Sequence, residues 1–388
     1  MNIGILSIGP KLYSTKRLKE AATERGHSAR VLDTRRFSLS LEPGEPDLKY
    51  KGHPLEDIDA IIPRIGGSLA FFGTAVVRQF EQMGVFSVSA STAISVSRDK
   101  LRSMQALSRH DINIPATTFV HDRGDILPAI EKIGGVPVII KLLEGTQGIG
   151  VILADELKMA EAIIETLQST RNNIILQKFV AESRGKDVRA FVVGDTVVAA
   201  MRRVAKDGGF RSNVHRGGTV ESIPISPEIE HTAVLAAKIL GLRVAGVDLL
   251  ESNEGPMVME VNSSPGLEGI ERATGVDVAG AIIEYIDSHL RFEDIDLQHR
   301  LSLAKGYTVV EVTVTESSPL VKQTIAETGM SDMEIRVLHV NRGGHITPVP
   351  GGDFEILKGD ILLCYGKQLA LRGFLPAQKP QRSKKKVK

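Results

Sequence analysis

The 388 residues predict a mixed α/β and α+β protein, on three observations. Residues 1–97 alternate short apolar runs with helical periodicity, which is the βαβ rhythm of a small parallel-sheet domain. Residues 98–290 mix both element types without that rhythm, as two α+β lobes do. From residue 303 to 375, short alternating strands separated by Gly, Pro and Asn turns predict a small β-rich domain. An acidic, polar stretch over 291–302 reads as a linker, and 376–388 as a basic tail.

The elements follow in order. Asn2–Ser7 reads as a strand, and Ser14 as the cap of a helix ending at Gly26. Ala29–Leu32 and Ala60–Pro63 read as further strands, with a helix after Gly73. In such sheets ligands bind at the carboxyl ends of strands, so the loops 7–14 and 64–68 are substrate-binding edges. Arg64 suits a substrate carboxylate there and equally a structural ion pair. A helix from Ser97 carries Asp99, Lys100 and Arg102, and one from Val278 to His289 closes the central region.

Val136–Leu143 is an apolar run between glycines and reads as a buried strand. Lys141 lies inside it, where an unpaired ammonium is costly and an anion such as phosphate resolves the cost. Three glycines follow in six residues, Gly145, Gly148 and Gly150. They suit either a phosphate cradle or a hairpin tip, and no Gly-Lys-Ser/Thr makes this a Walker loop. Asn173–Phe179 reads as a strand, with Asp187 and Arg189 close behind. The loop from Phe210 to Gly218 holds Arg211, Ser212, Asn213, His215 and Arg216. It is either a clamp for a phosphoryl group or a solvated basic loop.

Asp248 in AGVDLL precedes a turn at Ser252–Gly255 and a second strand, VMEVN. Glu260 and Asn262 are two residues apart, so they share one face of that strand, and a hairpin returns Asp248 beside them. Three hard oxygen donors so placed suit Mg²⁺, although such residues also stand at ordinary turns.

In this order the residues resemble the ATP-grasp superfamily, and within it the RimK-type α-L-glutamate ligases. IPRIGGSLAFFGTAVVRQFE, SRDKLRSMQALSRHDINIP, KLLEGTQGIGV, FRSNVHRGG, AGVDLL and MEVNSSPGLEGIE carry the likeness over about residues 1–290. It implies an ATP-grasp fold behind a pre-ATP-grasp domain, and a ligase that joins L-glutamate to a carboxylate through an acyl phosphate. It places Lys100 and Lys141 at the nucleotide, and Gly145 and Gly148 in the Gly-rich loop. Lys178 and Phe179 match the adenine-reading segment and Asp187 the ribose-binding acid. Arg211, Ser212 and Asn213 match a nucleotide- and phosphoryl-contacting trio, with Arg211 and Asn213 catalytic. Asp248, Glu260 and Asn262 match the ligands of Mg²⁺, or Mn²⁺, as two ions. Where the family often has Gln-Glu-Tyr, this chain has Gln177-Lys178-Phe179. The implied acceptor is the C-terminus of a ribosomal protein, or poly-α-glutamate. Other members of the superfamily act on coenzymes or carrier proteins, and a nucleotide sensor without chemistry is the rival of another class.

Residues 303–375 resemble the TrkA-C or RCK-C module, through Glu-Val-Thr-Val, Ser-Pro-Leu, Asn-Arg-Gly-Gly and Leu-x-x-Gly-Asp-x-Leu-Leu. That likeness implies a site for a small regulatory ligand or a dimerisation surface, hence a homo-oligomer; a structural appendage is the alternative. Ser317–Pro319 is expected to open a short helix there. The sole cysteine, Cys364, falls in a strand and reads as a buried thiol. One cysteine excludes an internal disulfide framework, and no apolar stretch is long enough to span a bilayer, so a cytoplasmic enzyme is expected. A net charge of +1 predicts no global attraction to nucleic acid. The last ten residues hold six basic and no acidic side chains, a solvated tail or a salt-sensitive grip on an acidic partner.

Overall fold

The computed structural model describes residues 1–43, 45–55, 57–143, 150–169, 173–206, 209, 218–290, 304 and 306–374. The chain divides into two compact units, Met1–Glu293 and Asp294–Lys388. The linker (291–302) and the basic tail (376–388) expected from the sequence lie outside the described residues.

The first unit begins with β1 (Asn2–Leu6), α1 (Tyr13–Glu24) and β2 (Ser28–Leu32). An antiparallel sheet follows, made of β3 (Phe37–Glu42), β4 (Glu45–Tyr50) and β5 (His53–Pro54). Then come β6 (Ala60–Pro63), α2 (Ala70–Gln82) and β7 (Phe86–Ser87). The order β2-β1-β6-β7 is parallel throughout, as the βαβ rhythm requires. Ile3, Ile5 and Ala60 bury one face of it with α1, while Leu6, Ile61 and Phe80 bury the other. Leu12, not Ser14, is the N-cap of α1; the Ser14 hydroxyl instead accepts the Leu267 N–H at 3.0 Å. A distant backbone donor has claimed the side chain that local capping would use. The sequence gives no sign of the β3–β4–β5 sheet.

Two short helices follow, α3 (Ser91–Arg98) and α4 (Lys100–Leu107), in place of the single helix expected from Ser97. Asp99 breaks them, because it leaves helical geometry and its carboxylate accepts the Arg102 N–H as an N-cap. Next come β8 (Thr117–Phe119), α5 (Ile126–Lys132), β9 (Val138–Leu142), β10 (Val151–Ala154), α6 (Leu157–Ser169) and β11 (Ile174–Lys178). They form an antiparallel sheet, β10-β9-β11-β8, over a core containing Ile130, Val138, Ile140 and Leu176.

The fourth sheet of this unit is built from β12 (Lys186–Val193), β13 (Thr196–Val204) and β14 (Thr219–Ser222), then, after α7 (Pro227–Ile239), β15 (Val244–Ser252) and β16 (Gly255–Asn262). Its order is β14-β13-β12-β15-β16, antiparallel throughout. Helices α8 (Glu268–Thr274) and α9 (Val278–His289) complete the unit, α9 with the bounds expected. Its Ile282, Ile283 and Ile286 are buried with Leu18 of α1 and Phe191 of β12. A single core therefore ties the parallel sheet to the large antiparallel one.

The second unit holds β17 (Tyr307–Thr313), β18 (Arg336–Arg342), β19 (His345–Pro348), β20 (Ile361–Lys367) and α10 (Gln368–Leu371). The sheet order is β17-β20-β18-β19, around Val312, Val340, Leu362 and Cys364. Cys364 is fully buried, and burial pushes its thiol up to about 12. No helix forms at Ser317–Pro319. Lys322 turns into the left-handed region (φ 63°) and its N–H goes to Ile356, so the chain takes successive turns instead. No helix among the described residues is long and apolar enough to cross a membrane.

Candidate active site

The β15–β16 hairpin sets Asp248 directly opposite Glu260, and Gly246 opposite Asn262. Cross-strand partners share a face, so the two carboxylates and the amide lie together. Asn262 donates from Nδ2 to the Gly246 carbonyl at 3.4 Å, which leaves its carbonyl oxygen as an acceptor. Gly246 is there for space: a Cβ on it would stand 2.7 Å from the Pro265 Cβ.

Asp248 is 3% exposed and held by two arginines. Arg189 donates to it from Nε and Nη2, both at 2.7 Å, and Arg203 lies 2.9 Å from Oδ2. Register explains this, since Arg189 faces Asp248 across β12 and β15. Arg203 is also paired with Asp187, its neighbour across β12 and β13. Burial raises the Asp248 carboxyl and the two guanidinium charges more than offset it, bringing it to about 2. Glu260 moves the other way: burial, and then the Asp248 charge, push it above the usual carboxylate range. Two carboxylates that repel each other beside an amide oxygen form a donor set that fits a divalent cation. Among the described residues, no group of three or more His, Cys, Asp and Glu could hold a metal.

Lys141 on β9 donates from Nζ to the Gln177 side-chain oxygen at 2.6 Å, and Gln177 in turn donates to Thr117 at 3.0 Å. Burial lowers the Lys141 ammonium to about 8, and the Glu260 charge partly restores it. Lys100 opens α4 and reaches the Leu142 and Leu143 carbonyls at 3.3 and 3.0 Å. Its pKa is also lowered by burial and raised by Glu260. The structure thus brings Lys100, Lys141, Asp248 and Glu260 into one electrostatic neighbourhood, with Arg189 behind Asp248.

The other candidates are placed less uniformly. Asp187 is 1% exposed beneath Arg203. Lys178 is exposed at the end of β11, and its N–H donates to the Ala116 carbonyl at 2.8 Å. Phe179 is half-buried, with the Arg184 guanidinium 5.9 Å from its ring centre. Gly145, Gly148, Arg211, Ser212 and Asn213 lie outside the described residues. Sequence reasoning missed Arg203. Its signal was a charged residue ending an apolar strand, placed to neutralise the Asp187 two residues before Arg189.

This arrangement can hold a divalent cation against phosphates and offer ammonium groups to them. The comparisons agree with that chemistry. Residues 97–286 match the RimK-like ATP-grasp domain, 1–94 the RimK PreATP-grasp domain and 309–375 the TrkA-C domain. A probable alpha-L-glutamate ligase of Rhodopirellula baltica is 57% identical over 388 residues, 100% of this chain and 96% of the relative. Another, of Azotobacter vinelandii, is 56% identical over 306 residues, 79% of this chain and 99% of the relative. Among solved structures, the ATP-grasp ligase PsnB complexed with a phosphomimetic variant of its minimal precursor, Mg and ADP has a TM-score of 0.59 at 24% identity, covering 74% of this chain and 97% of PsnB. The macrocyclase MdnC bound with the precursor peptide MdnA, from Microcystis aeruginosa, has a TM-score of 0.59 at 14% identity, covering 74% and 100%. At those identities the solved structures bear on the fold alone.

Proposed function

The chain belongs to the RimK-type ATP-grasp ligases and is an ATP-dependent ligase; from that premise we propose that it adds L-glutamate to the C-terminal carboxylate of a protein, a ribosomal protein in the first instance. The observation that carries the reading is the pairing of Asp248 with Glu260 in the field of Lys141 and Lys100. The relatives' shared designation as glutamate ligases supports the amino acid. Poly-α-glutamate is the same acceptor chemistry carried through repeated cycles, and a ribosomal acceptor places the reaction in the cytoplasm.

In this reading the acceptor carboxylate attacks the γ-phosphorus of ATP and ADP leaves. The amine of L-glutamate then attacks the acyl phosphate carbon, inorganic phosphate leaves and an amide forms. Lys141 and Lys100 bind and orient the phosphates, and the Gln177 oxygen aims the Lys141 ammonium. Arg189 and Arg203 keep Asp248 ionised and fix its rotamer. Asp248, Glu260 and Asn262 would hold Mg²⁺ or Mn²⁺, as two ions, which supplies charge neutralisation between the β- and γ-phosphates. Lys178 and Phe179 take the adenine by family pattern, with the Lys178 N–H committed to the Ala116 carbonyl. Asp187 carries the ribose role by family pattern, and in this structure its carboxylate anchors Arg203. Gly145, Gly148, Arg211, Ser212 and Asn213 take the phosphates and the transferring group by the same pattern. The TrkA-C-type segment takes a small regulatory ligand or joins subunits.

The test is incubation of the full chain with ATP, Mg²⁺ and L-glutamate, with and without ribosomal proteins, following phosphate release and product masses. Glutamyl additions that require ATP are expected, and the species gaining mass names the acceptor. ATP binding without turnover on ribosomal proteins, free peptides, coenzymes and carrier proteins would overturn the reading in favour of a nucleotide sensor.

A further inference from the structure

Arg64 follows β6 directly, at the carboxyl end of the parallel sheet, where open α/β sheets bind ligands. Its backbone is tied on both sides. The Arg64 N–H donates to the Leu6 carbonyl at 2.9 Å, joining it to the end of β1. The preceding carbonyl, of Pro63, accepts from Ser264 Oγ at 3.5 Å, and Ser264 lies just past Asn262 on the chain leaving β16. The guanidinium therefore hangs from a fixed point between the N-terminal sheet and the strand that carries Glu260 and Asn262.

That guanidinium has no hydrogen-bond or ion-pair partner among the described residues. Burial alone acts on it, lowering it to about 10, and no carboxylate raises it. The residue is nonetheless only half-buried, so solvent and a ligand can reach it. Nearby, Arg98 donates to the Ile65 carbonyl, and its Nε is buried with no partner among the described residues. Again burial is the sole influence on its charge. A guanidinium with no acid facing it among the described residues is a costly arrangement for a ligand-free protein. Arg189 and Arg203, by contrast, are committed to Asp248 and Asp187.

We propose that Arg64 is the specificity residue for the incoming amino acid, gripping one of its carboxylates. The inference rests on the glutamate-ligase reading and deepens it. Three candidate anions compete for the site, and charge through the reaction separates them. The acceptor carboxylate becomes an acyl phosphate and then an amide, so a permanent cation would hold it back. The ATP phosphates have Lys100 and Lys141. Both carboxylates of L-glutamate stay ionised from binding to product, and a planar guanidinium matches a carboxylate through two parallel hydrogen bonds.

The experiment uses the full chain and the variants Arg64→Met and Arg64→Lys. For Arg64→Met the KM for L-glutamate should rise about 10- to 100-fold, the range expected for loss of a charge-assisted hydrogen bond. ATP affinity should stay at the wild-type value, and Arg64→Lys should recover part of the loss. Melting of ligand-free Arg64→Met should match or exceed wild type, because an uncompensated charge has been removed. L-glutamine and the α-amide of L-glutamate distinguish the two carboxylates. Loss of preference for L-glutamate over L-glutamine assigns the side-chain carboxylate, and equal weakening of both assigns the α-carboxylate. An unchanged KM, a parallel fall in ATP affinity, or a lowered melting point without ligand each overturns the proposal. A wild type that ligates another amino acid overturns the glutamate reading, and Arg64 is then scored on the KM of that substrate. A wild type that ligates none of a panel of amino acids overturns both.

Discussion

Asp248 and Glu260 face each other across one hairpin, yet their neighbours push them in opposite directions. Asp248 sits between Arg189 and Arg203 with its carboxyl near 2, whereas burial and the Asp248 charge raise Glu260. The folded state therefore gains from Asp248 ionisation at pH values above its ordinary value of 3.8, and loses that gain as pH falls through about 2. Removing the charge leaves buried guanidinium groups short of a partner, which costs roughly 3 kcal/mol. Asp248→Asn should accordingly lower the urea midpoint at pH 7, with the difference from wild type shrinking towards pH 2. Glu260→Gln removes a repelled carboxylate and should abolish turnover while leaving the midpoint unchanged or higher. An Asp248→Asn protein as stable as wild type, or an active Glu260→Gln protein, would contradict this division of labour. The spacing of Glu260, Asn262 and Asp248 was legible in the sequence because a two-residue period and a turn signal suffice for it. The arginines behind Asp248 were not, because Arg203 reaches it from a strand some forty-five residues earlier through a register no local pattern fixes.

At the scale of elements, segments with dense apolar runs were read nearly to the residue, as the strands β6, β9 and β11 and the helix α9 show. Errors fell where a tertiary contact outbid a local signal. Ser14 serves Leu267 instead of capping its own helix, Asp99 splits α3 from α4, and Lys322 turns the chain where Ser317–Pro319 promised a helix. The hairpin of β15 and β16 depends on one more such contact. Gly246 pairs with Asn262, accepts its side-chain N–H, and lies against Pro265 with no room for a Cβ. Gly246→Ala must push the chain after β16 outwards, and with it the Ser264 link to Pro63. A displacement of that kind costs on the order of 100-fold in rate when it moves a binding group by about 1 Å. Turnover should fall by about that factor, with circular dichroism unchanged. Wild-type turnover in Gly246→Ala would show that the Pro265 segment yields freely and does not set the site.

The whole molecule joins a catalytic unit to a second unit with its own core of Val312, Val340, Leu362 and Cys364. That core closes on itself: Arg342 pairs with the fully buried Asp360 at 2.8 Å, and Asp360 accepts the Leu357 N–H. The Azotobacter vinelandii relative matches over 99% of its own length within 306 residues of this chain, so that relative is shorter than this chain. The Rhodopirellula baltica relative matches across all 388 residues and shares the longer plan. The second unit is then an addition to the part of the chain that the shorter relative shares. Deleting residues 303–388 should leave the melting point of the catalytic unit and the basal ligation rate at wild-type values. Light scattering should report a smaller assembly, or the rate should lose a response to small molecules that the full chain shows. If assembly and response are both unchanged, the second unit is structural. If basal ligation is lost while the catalytic unit still melts cooperatively, the second unit takes part in the reaction itself, and the independence of the two cores is not matched by independence in function.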